Sequence, residues 1–580
     1  LERYQASQSR RVVLITDTWE AARQLADDLL FFSKGEGPDA SPPLLFPPLD
    51  TTPYLDVASD RRAAMDRAAV LFHLGQGLPW RFVVTSATAI SRRVPPREAL
   101  LRRSQWVRAE DELDREAFLA KLSEGGYLRV PVAEDPGTFA LRGSIIDVFS
   151  PHAPYPVRIE LDDWLVLSIK FFDPEDQRTV EETREVFIHP VRDVLLGESE
   201  RALATQRIRE LCDAIDMPTT KARALIDELD EGRAGAKLEG YLPAFYPRLE
   251  SFFDYLGEEV DLAIVGVGES LKELREELAR AQADFEAKVE QKVPAFALHE
   301  HYLDEGEVVS AWTQRPHALV HRLAQIASET QSADAPPGAA LEGVHAETLL
   351  RIGAEDQSSL RAALRTQRAS DPKADGLAPL AERAKRWLDE GYRVVFTTRT
   401  QTQSDRLATL LKGNGLSAQK GASGSLKSAG AQSGLEIRVG SLSHGFVFPS
   451  ERLVFVTEEE VFGSRTRRAA KTRTMRQKAQ AFLEDLRELK VGDYVVHIDH
   501  GVGRYLGLER QSLGQSQFER FRGEAQHAVE VLVVEYQGGK LLLPVTRLNQ
   551  IQKYAGREGQ APKLDRLGGQ TFAKTKARVQ

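Results

Sequence analysis

Residues 11–29 (RVVLITDTWEAARQLADDL) and residues 393–411 (RVVFTTRTQTQSDRLATLL) align without a gap, with Arg, Val, Val, Thr, Thr, Leu, Ala and Leu coinciding. Each stretch opens on an apolar, β-branched run of strand length. Each continues with apolar residues at helical spacing; in the first, Ala22, Leu25, Leu29 and Phe32 share a face. A buried strand feeding an amphipathic helix is the repeating unit of a parallel sheet covered by helices, because both faces of the strand have to be hidden. Shared strand-then-helix physics accounts for part of the likeness, so it marks a similar fold unit rather than a duplication. It constrains the chain to carry at least two α/β units.

The rest of the chain is placed around these two. In the first unit, residues 44–54 (LLFPPLDTTPY) read as a short strand and an ordered proline-aromatic loop, 61–74 as a helix and 82–86 (FVVTS) as a buried strand. Short strands then follow in quick succession over residues 126–173 (YLRVPV, GTFALRG, SIIDVFS, YPVRIEL, LSIKFFD), separated by turn residues, which predicts a small inserted antiparallel sheet. Residues 261–267 are again a buried strand and about 270–289 a charged helix, so the first unit is expected to resume there. Residues 328–340 and 422–433, rich in Ala, Ser, Pro and Gly, read as flexible loops or linkers. The second unit contains the stripe Leu380, Ala384, Trp387 and Leu388, a C-terminal cap at Gly391, and strands at 393–398, 437–439 and 453–457. Residues 475–489 form an amphipathic helix. Residues 491–554, punctuated by Gly501, Gly503, Gly507, Gly538 and Gly539, predict a small bent β-barrel.

Charge narrows the function. The 580 residues carry 77 Lys+Arg against 86 Asp+Glu, a net charge of −9 that argues against a simple nucleic-acid coat. Locally the picture differs. Arg465, Arg467, Arg468, Lys471, Arg473, Arg476 and Lys478 fall in one stretch without an acidic residue, either a solvated linker helix or a strip for phosphate. No run of about 18 apolar residues exists to span a membrane, and no secretory signal opens the chain. The first residue is Leu1, so the natural start is expected upstream. The single cysteine, Cys212, excludes a disulfide framework and a Cys-based zinc site; it lies in a helical stretch (202–215) and reads as a buried apolar residue, and a reducing cytoplasm fits.

The search for catalytic chemistry comes back nearly empty. A phosphate cradle needs glycines whose N–H groups face the ligand and a lysine directly after the last of them. Gly424-Ser425-Leu426-Lys427-Ser428 lacks that glycine, and Gly266-Val267-Gly268 has Leu271 in place of a third one. His497, Asp499 and His500 read either as part of a metal site or as hydrogen-bonding residues of a tight turn. Glu458-Glu459-Glu460 reads either as an acidic box or as a helix start favoured by the helix dipole. Arg142 and Arg158 stand on neighbouring short strands flanked by Asp147, Glu160 and Asp162. A guanidinium fork on a strand suits a partner carboxylate, or an ion pair within the sheet. The balance favours a binding and scaffolding chain over an enzyme.

Several long motifs carry a resemblance. Residues 491–505 (VGDYVVHIDHGVGRY), together with 541–545, 552–556 and 562–569, resemble the RNA-polymerase-interacting domain of bacterial transcription-repair coupling factors. The motifs FALRG (139–143), IDVF (146–149), PVRIE (156–160) and FDPEDQRT (172–179) resemble the module these factors share with the excision-repair protein UvrB. Residues 241–256 and 444–463 agree as well. The resemblance implies a multidomain α/β protein. A UvrB-like, Rossmann-type domain (residues 1–103 and 191–295) would be split by the UvrA-binding antiparallel sheet (104–190). A second α/β domain (305–464), a basic linker helix (465–489) and a Tudor/CarD-like barrel (490–556) would follow, with 557–580 leading to motor domains beyond.

The resemblance also implies partners. Arg142 and Arg158 would face UvrA, although Leu161 and Asp162 stand where many members carry aromatics. The RNA polymerase β subunit would be met by strand addition at Gly507, Leu508, Glu509 and Arg510, with residues 511–526 as an extra insertion. Double-stranded DNA would be engaged mainly by the motor, which would also hold ATP and magnesium; no cofactor, metal or membrane is expected for these 580 residues, and Arg465, Arg467, Arg468, Lys471 and Arg473 are the candidate DNA strip. The expected setting is the bacterial cytoplasm. Rival readings are a CarD-like regulator of polymerase and a UvrB-like repair helicase.

Overall fold

The computed structural model describes residues 10–33, 42–55, 59–230, 235–320, 353–370, 377–421, 434–462, 492, 494–497, 501–512, 528–537, 539–544 and 551–553. The chain divides into two units, residues 1–464 and 465–580. The loops expected at 328–340 and 422–433, the glycine-serine decoy at 424–428, the basic strip and residues 498–500 lie outside the described residues.

Strand β1 (Arg11–Thr16) is exposed only at its first residue, because it is covered on both faces. Val13 and Ile15 pack with Phe46, Leu71 and Trp312, whereas Val12 and Leu14 pack with Ala22, Ala26 and Leu29 of the helix Trp19–Ser33. β1 lies parallel between β3 (Phe82–Ser86) and β12 (Val260–Val265). With β2 (Leu44–Phe46) and β13 (His317–Val320) the sheet order is β13-β12-β1-β3-β2, so strands from before and after the inserted residues share one sheet.

Between them the chain enters and leaves through a two-stranded ribbon, β4 (Gln105–Arg108) against β11 (Glu185–Ile188). The inserted sheet has six strands: β5 (Leu128–Arg129), β6 (Thr138–Arg142), β7 (Ile145–Phe149), β8 (Val157–Asp162), β9 (Leu165–Phe172) and β10 (Thr179–Thr183), in the order β10-β9-β8-β7-β6-β5. It is antiparallel except for β5 and β6, which run parallel. Residues 130–137, with prolines at 131 and 136, are too long and too stiff for a hairpin and return the chain to the start of the next strand.

A helical layer, which the sequence announced only over 202–215, fills residues 198–245. The helices Glu198–Ala214 and Thr219–Asp230 and the 3-10 segment Gly235–Phe245 bury their own core around Ile208, Cys212, Tyr241, Phe245 and Tyr246. Cys212 is fully buried, as anticipated, and burial pushes its thiol upward.

In the second α/β sheet, β15 (Arg393–Thr398) lies parallel between β17 (Gly434–Val439) and β19 (Leu453–Thr457). With β14 (Glu355–Asp356), β18 (Phe446–Phe448) and β16 (Gln419–Lys420) the order is β14-β18-β19-β15-β17-β16. Leu380, Ala384 and Trp387 of the helix Ala378–Asp389 are buried against it, and Gly391 takes φ +82° just past the helix end, where a left-handed residue is needed. Phe31 and Phe32 of the first α/β unit meet Phe455 edge-on, at 6.2 and 5.6 Å between ring centroids. Beside them Ser443 donates to the Asp28 carboxylate from N at 2.7 Å and Oγ at 2.6 Å.

The C-terminal unit is a five-stranded antiparallel sheet of β20 (Tyr494–His497), β21 (Gly501–Ser512), β22 (Ala528–Tyr536), β23 (Gly539–Pro544) and β24 (Ile551–Lys553), in the order β23-β22-β21-β20-β24. Among the described residues the edge strands β23 and β24 are not paired with each other, so the closure of the expected barrel is not seen there. Its core is small: Val495, Tyr505, Leu532, Val534 and Tyr536.

Candidate partner-binding surfaces

Strand alternation divides the inserted sheet into an apolar and a polar face. Ile146, Val148, Val157, Ile159, Val166 and Ile169 turn inward onto Val107, Phe118, Leu122 and Tyr127. On the other face, Asp147 of β7 stands opposite Arg158 of β8, and Arg158 opposite Lys170 of β9. Arg158 donates from Nε to Asp147 Oδ1 at 2.8 Å and from Nη2 to Oδ2 at 2.9 Å, a two-point pair. Nη2 also reaches Gln177 Oε1 at 3.0 Å, and the guanidinium lies 4.3 Å from the centroid of Phe172. The hydrogen bonds to Asp147 raise the Arg158 pKa further above its ordinary value. Arg142, at the end of β6, touches the same carboxylate with Nη2 at 3.4 Å. Asp147 is therefore 1% exposed beneath two arginines, with Arg158 at 19% and Arg142 at 45%. The ion pair within the sheet is present for both arginines, and it is tight only for Arg158. Farther across, Ser168 and Lys170 donate to Glu160 at 2.7 and 3.2 Å, and its carboxyl is lowered, chiefly by the Ser168 hydrogen bond.

Sequence reasoning passed over two further features of this module. Leu161 is buried and Asp162 exposed, while Trp164, in the β8–β9 turn, is 53% exposed and Leu167 54%. The turn after Arg142 lies at the same end of the sheet, since Leu161 N donates to Ser144 O at 2.9 Å. The second feature is the joint with the first α/β sheet. The His189 ring stacks on Phe72 of the helix Arg61–Gly75 at 4.9 Å, and its Nε2 meets His152 Nδ1 at 2.9 Å. Only a lone His-Pro step at 189–190 signalled it in the sequence.

In the C-terminal unit, β21 changes partners along its length. Gly501–Arg504 pairs with β20, and Arg504–Ser512 with β22. The register shifts between Tyr505 and Gly507, and Gly507 takes φ +131°, which a side chain would resist. Gly507, Leu508, Glu509 and Arg510 lie opposite Val533, Leu532, Val531 and Glu530. On their other side no strand pairs with them among the described residues; just before the segment, Gly492 N donates to Tyr505 O at 2.8 Å. The four residues singled out for polymerase thus form one half-paired strand segment.

The nucleotide-site position of the first α/β sheet is filled differently. The loop between β1 and the helix Trp19–Ser33 is only Asp17 and Thr18; Asp17 accepts from Thr18 N at 2.8 Å, and Thr16 Oγ1 donates to Thr18 O at 2.8 Å. A glycine-free turn carrying a carboxylate repels phosphate. Glu460, 6% exposed, accepts from Gly445 N and Thr457 N, so the acidic run at 458–460 is tied into the fold. Among the described residues no group of three or more His, Cys, Asp or Glu is placed to hold a metal ion.

Comparison with known proteins follows these surfaces. Residues 106–193 match the family model of a UvrB interaction domain, residues 390–461 that of the MFD D3 domain, and residues 489–555 that of a CarD-like/TRCF RID domain. A transcription-repair-coupling factor of Myxococcus xanthus is 35% identical over 97% of this chain, and one of Bacillus subtilis (strain 168) is 27% identical over 99%. In each case 45% of the relative is covered, so the chain spans about half the length of the curated relatives it matches.

Proposed function

The chain belongs to the transcription-repair-coupling factor family, and from that premise we propose that it is the part that recruits: it binds stalled RNA polymerase through the C-terminal sheet and the excision-repair protein UvrA through the inserted sheet. The observation that carries this reading is the presence, in one chain, of matches to both interaction domains with the D3 match between them. A CarD-like regulator has no use for the matched UvrB interaction and D3 modules. A UvrB-like helicase needs a phosphate cradle where this chain has Asp17 and Thr18. ATP, magnesium and DNA translocation are assigned to the portion of the relatives that this chain does not cover. The 580-residue protein is accordingly expected to turn over no ATP above background, with or without DNA; measurable turnover overturns that assignment. The basic residues from Arg465 to Arg473 would assist on DNA through phosphate contacts, which salt screens.

The polymerase contact is assigned to the half-paired segment of β21. An added strand is held by main-chain hydrogen bonds, and alternate side chains set its specificity. Leu508→Pro removes an N–H and fixes φ in the middle of the segment. Affinity for the polymerase β subunit is expected to fall at least about tenfold, measured by biolayer interferometry. Unchanged affinity moves the contact to another edge. The setting is bacterial, like the relatives; among the described residues no helix is long and apolar enough to cross a membrane.

A further inference from the structure

Parallel strands have to be hidden on both faces, and the second α/β sheet hides only one of them with its own helices. Val394 and Phe396 of β15 and Val454 and Val456 of β19 pack with Ala384 and Trp387 of the helix Ala378–Asp389 and with Leu407 and Leu411 of the helix Gln401–Gly413. By strand alternation Val395 and Phe455 point the other way, and both are fully buried. The side chains that bury them come from the first α/β unit. Phe31 and Phe32 of the helix Trp19–Ser33 share their cluster, with Leu442, Phe446 and Leu453 beside them.

That helix serves two sheets. Ala22, Ala26 and Leu29 cover β1, whereas Asp28, Phe31 and Phe32, spaced three and four apart, form a second stripe. Phe32 belongs to this second stripe, a correction to the spacing that groups it with Ala22 and Leu29. The second α/β unit matches the stripe point by point. Phe31 and Phe32 both meet the Phe455 ring edge-on. Gly440, just past β17, makes room for Phe31, since a Cβ there would stand 2.4 Å from Phe31 Cδ2. Burial raises the pKa of the Asp28 carboxyl, and the two hydrogen bonds donated by Ser443 oppose that rise. The apolar patch ends at β17, where Glu436 pairs with Arg393 at 2.8 Å. Both sheets also fall within one compact unit, residues 1–464.

We propose that the helix Trp19–Ser33 is the second cover layer of the second α/β sheet, so that the two α/β domains form one interlocked block instead of independent domains on a string. The second domain is then incomplete without residues 28–32, because Val395 and Phe455 would face water. The end of that domain at Phe462 is held fixed against the first sheet. A pull on the chain at Phe462 is carried into the first α/β domain through Phe31, Phe32 and Asp28, and the segment that joins the two domains in sequence bears none of it.

The test cuts the folded 580-residue chain at a protease site placed after Ala335, between the two α/β domains. The two pieces are expected to run as one species in size-exclusion chromatography at about 1 μM. Phe31→Ala combined with Phe32→Ala is expected to weaken their association at least about a hundredfold, read by dilution. Ser443→Ala, which takes one donor from a buried carboxylate, is expected to weaken it about tenfold. In the uncut chain the double phenylalanine variant should show fast hydrogen exchange over β15 and β19, with β1, β3 and β12 still protected. If protection is lost in the first sheet as well, Gly440→Val, which crowds Phe31 from the second domain, has to give the same separation. Unsubstituted pieces that come apart at about 1 μM, or substituted pieces that hold together as tightly as unsubstituted ones, overturn the proposal.

Discussion

Gly503→Val is expected to abolish polymerase capture while leaving UvrA binding at its original level. Gly503 lies in β21 with its Cα against the small core of the C-terminal sheet. A Cβ at this position would sit 2.4 Å from Val534 Cγ1 and 2.8 Å from Tyr536 Cζ. Both side chains are buried, at 0% and 3% exposure, and have nowhere to move. Overpacking a core costs about 1–3 kcal/mol and more where the neighbours cannot shift. Here it falls on a cluster that holds five buried side chains among the described residues, and small cores supply only a few kcal/mol in total. The strand that carries Gly507 to Arg510 is displaced with it. Hydrogen exchange should show fast amides over β20 to β23 and unaltered protection in the first unit. A chain that keeps both its exchange pattern and its polymerase affinity contradicts the packing described for β21.

The second large effect is on stability in mild acid. His189 and His301 are buried, and desolvation is the main cause that lowers their pKa values from 6.5 to about 3. His189 Nδ1 donates to Pro190 O at 2.7 Å, so its Nε2 accepts from His152 Nδ1, an arrangement that requires a neutral His189 ring. The unfolded chain takes up these protons near pH 6.5 and the folded chain near 3. Between those values the unfolded state binds more protons, so stability is full above about pH 7 and falls as the pH drops. Each of the two buried rings costs about 2 kcal/mol between pH 7 and pH 5. Urea midpoints should therefore decline steeply over that range, before most carboxylates titrate. His189→Gln, which keeps a hydrogen-bonding side chain but cannot take a proton in this range, should flatten part of the slope. Because His189 stacks on Phe72, the joint between the inserted sheet and the first α/β sheet is expected to loosen first. Midpoints that stay level from pH 7 to pH 5 contradict this account.

Strands β1, β3, β15 and β19 were legible in the sequence to within a residue, because a central parallel strand is buried on both faces and reads as an unbroken apolar run. The helix after β1 was legible from its spacing, and Gly391 from its place at a helix end. The helix around Cys212 was legible over 202–215, but the helix Thr219–Asp230 and the 3-10 segment after it were not, since the stretch is dense in charge. The parallel pairing of β5 with β6 was hidden too, because alternation reports which face a residue occupies and says nothing of strand direction. For the candidate surfaces, the sequence read Arg142 and Arg158 as standing on neighbouring strands, whereas β7 lies between β6 and β8 and carries the Asp147 that both arginines touch. That depends on register, and a slip of one residue would send the carboxylate to the other face. Trp164 escaped notice because nothing in the sequence separates a tryptophan at an exposed turn from one in a core.

The central claim is that one chain carries two separable recruiting surfaces. The most direct measurement is mass photometry of the 580-residue chain mixed with UvrA and with the polymerase core enzyme. The account predicts a species containing all three, which loses only polymerase with Leu508→Pro and only UvrA with Arg142→Ala. A chain that binds neither protein, or substitutions that remove both partners together, would contradict it.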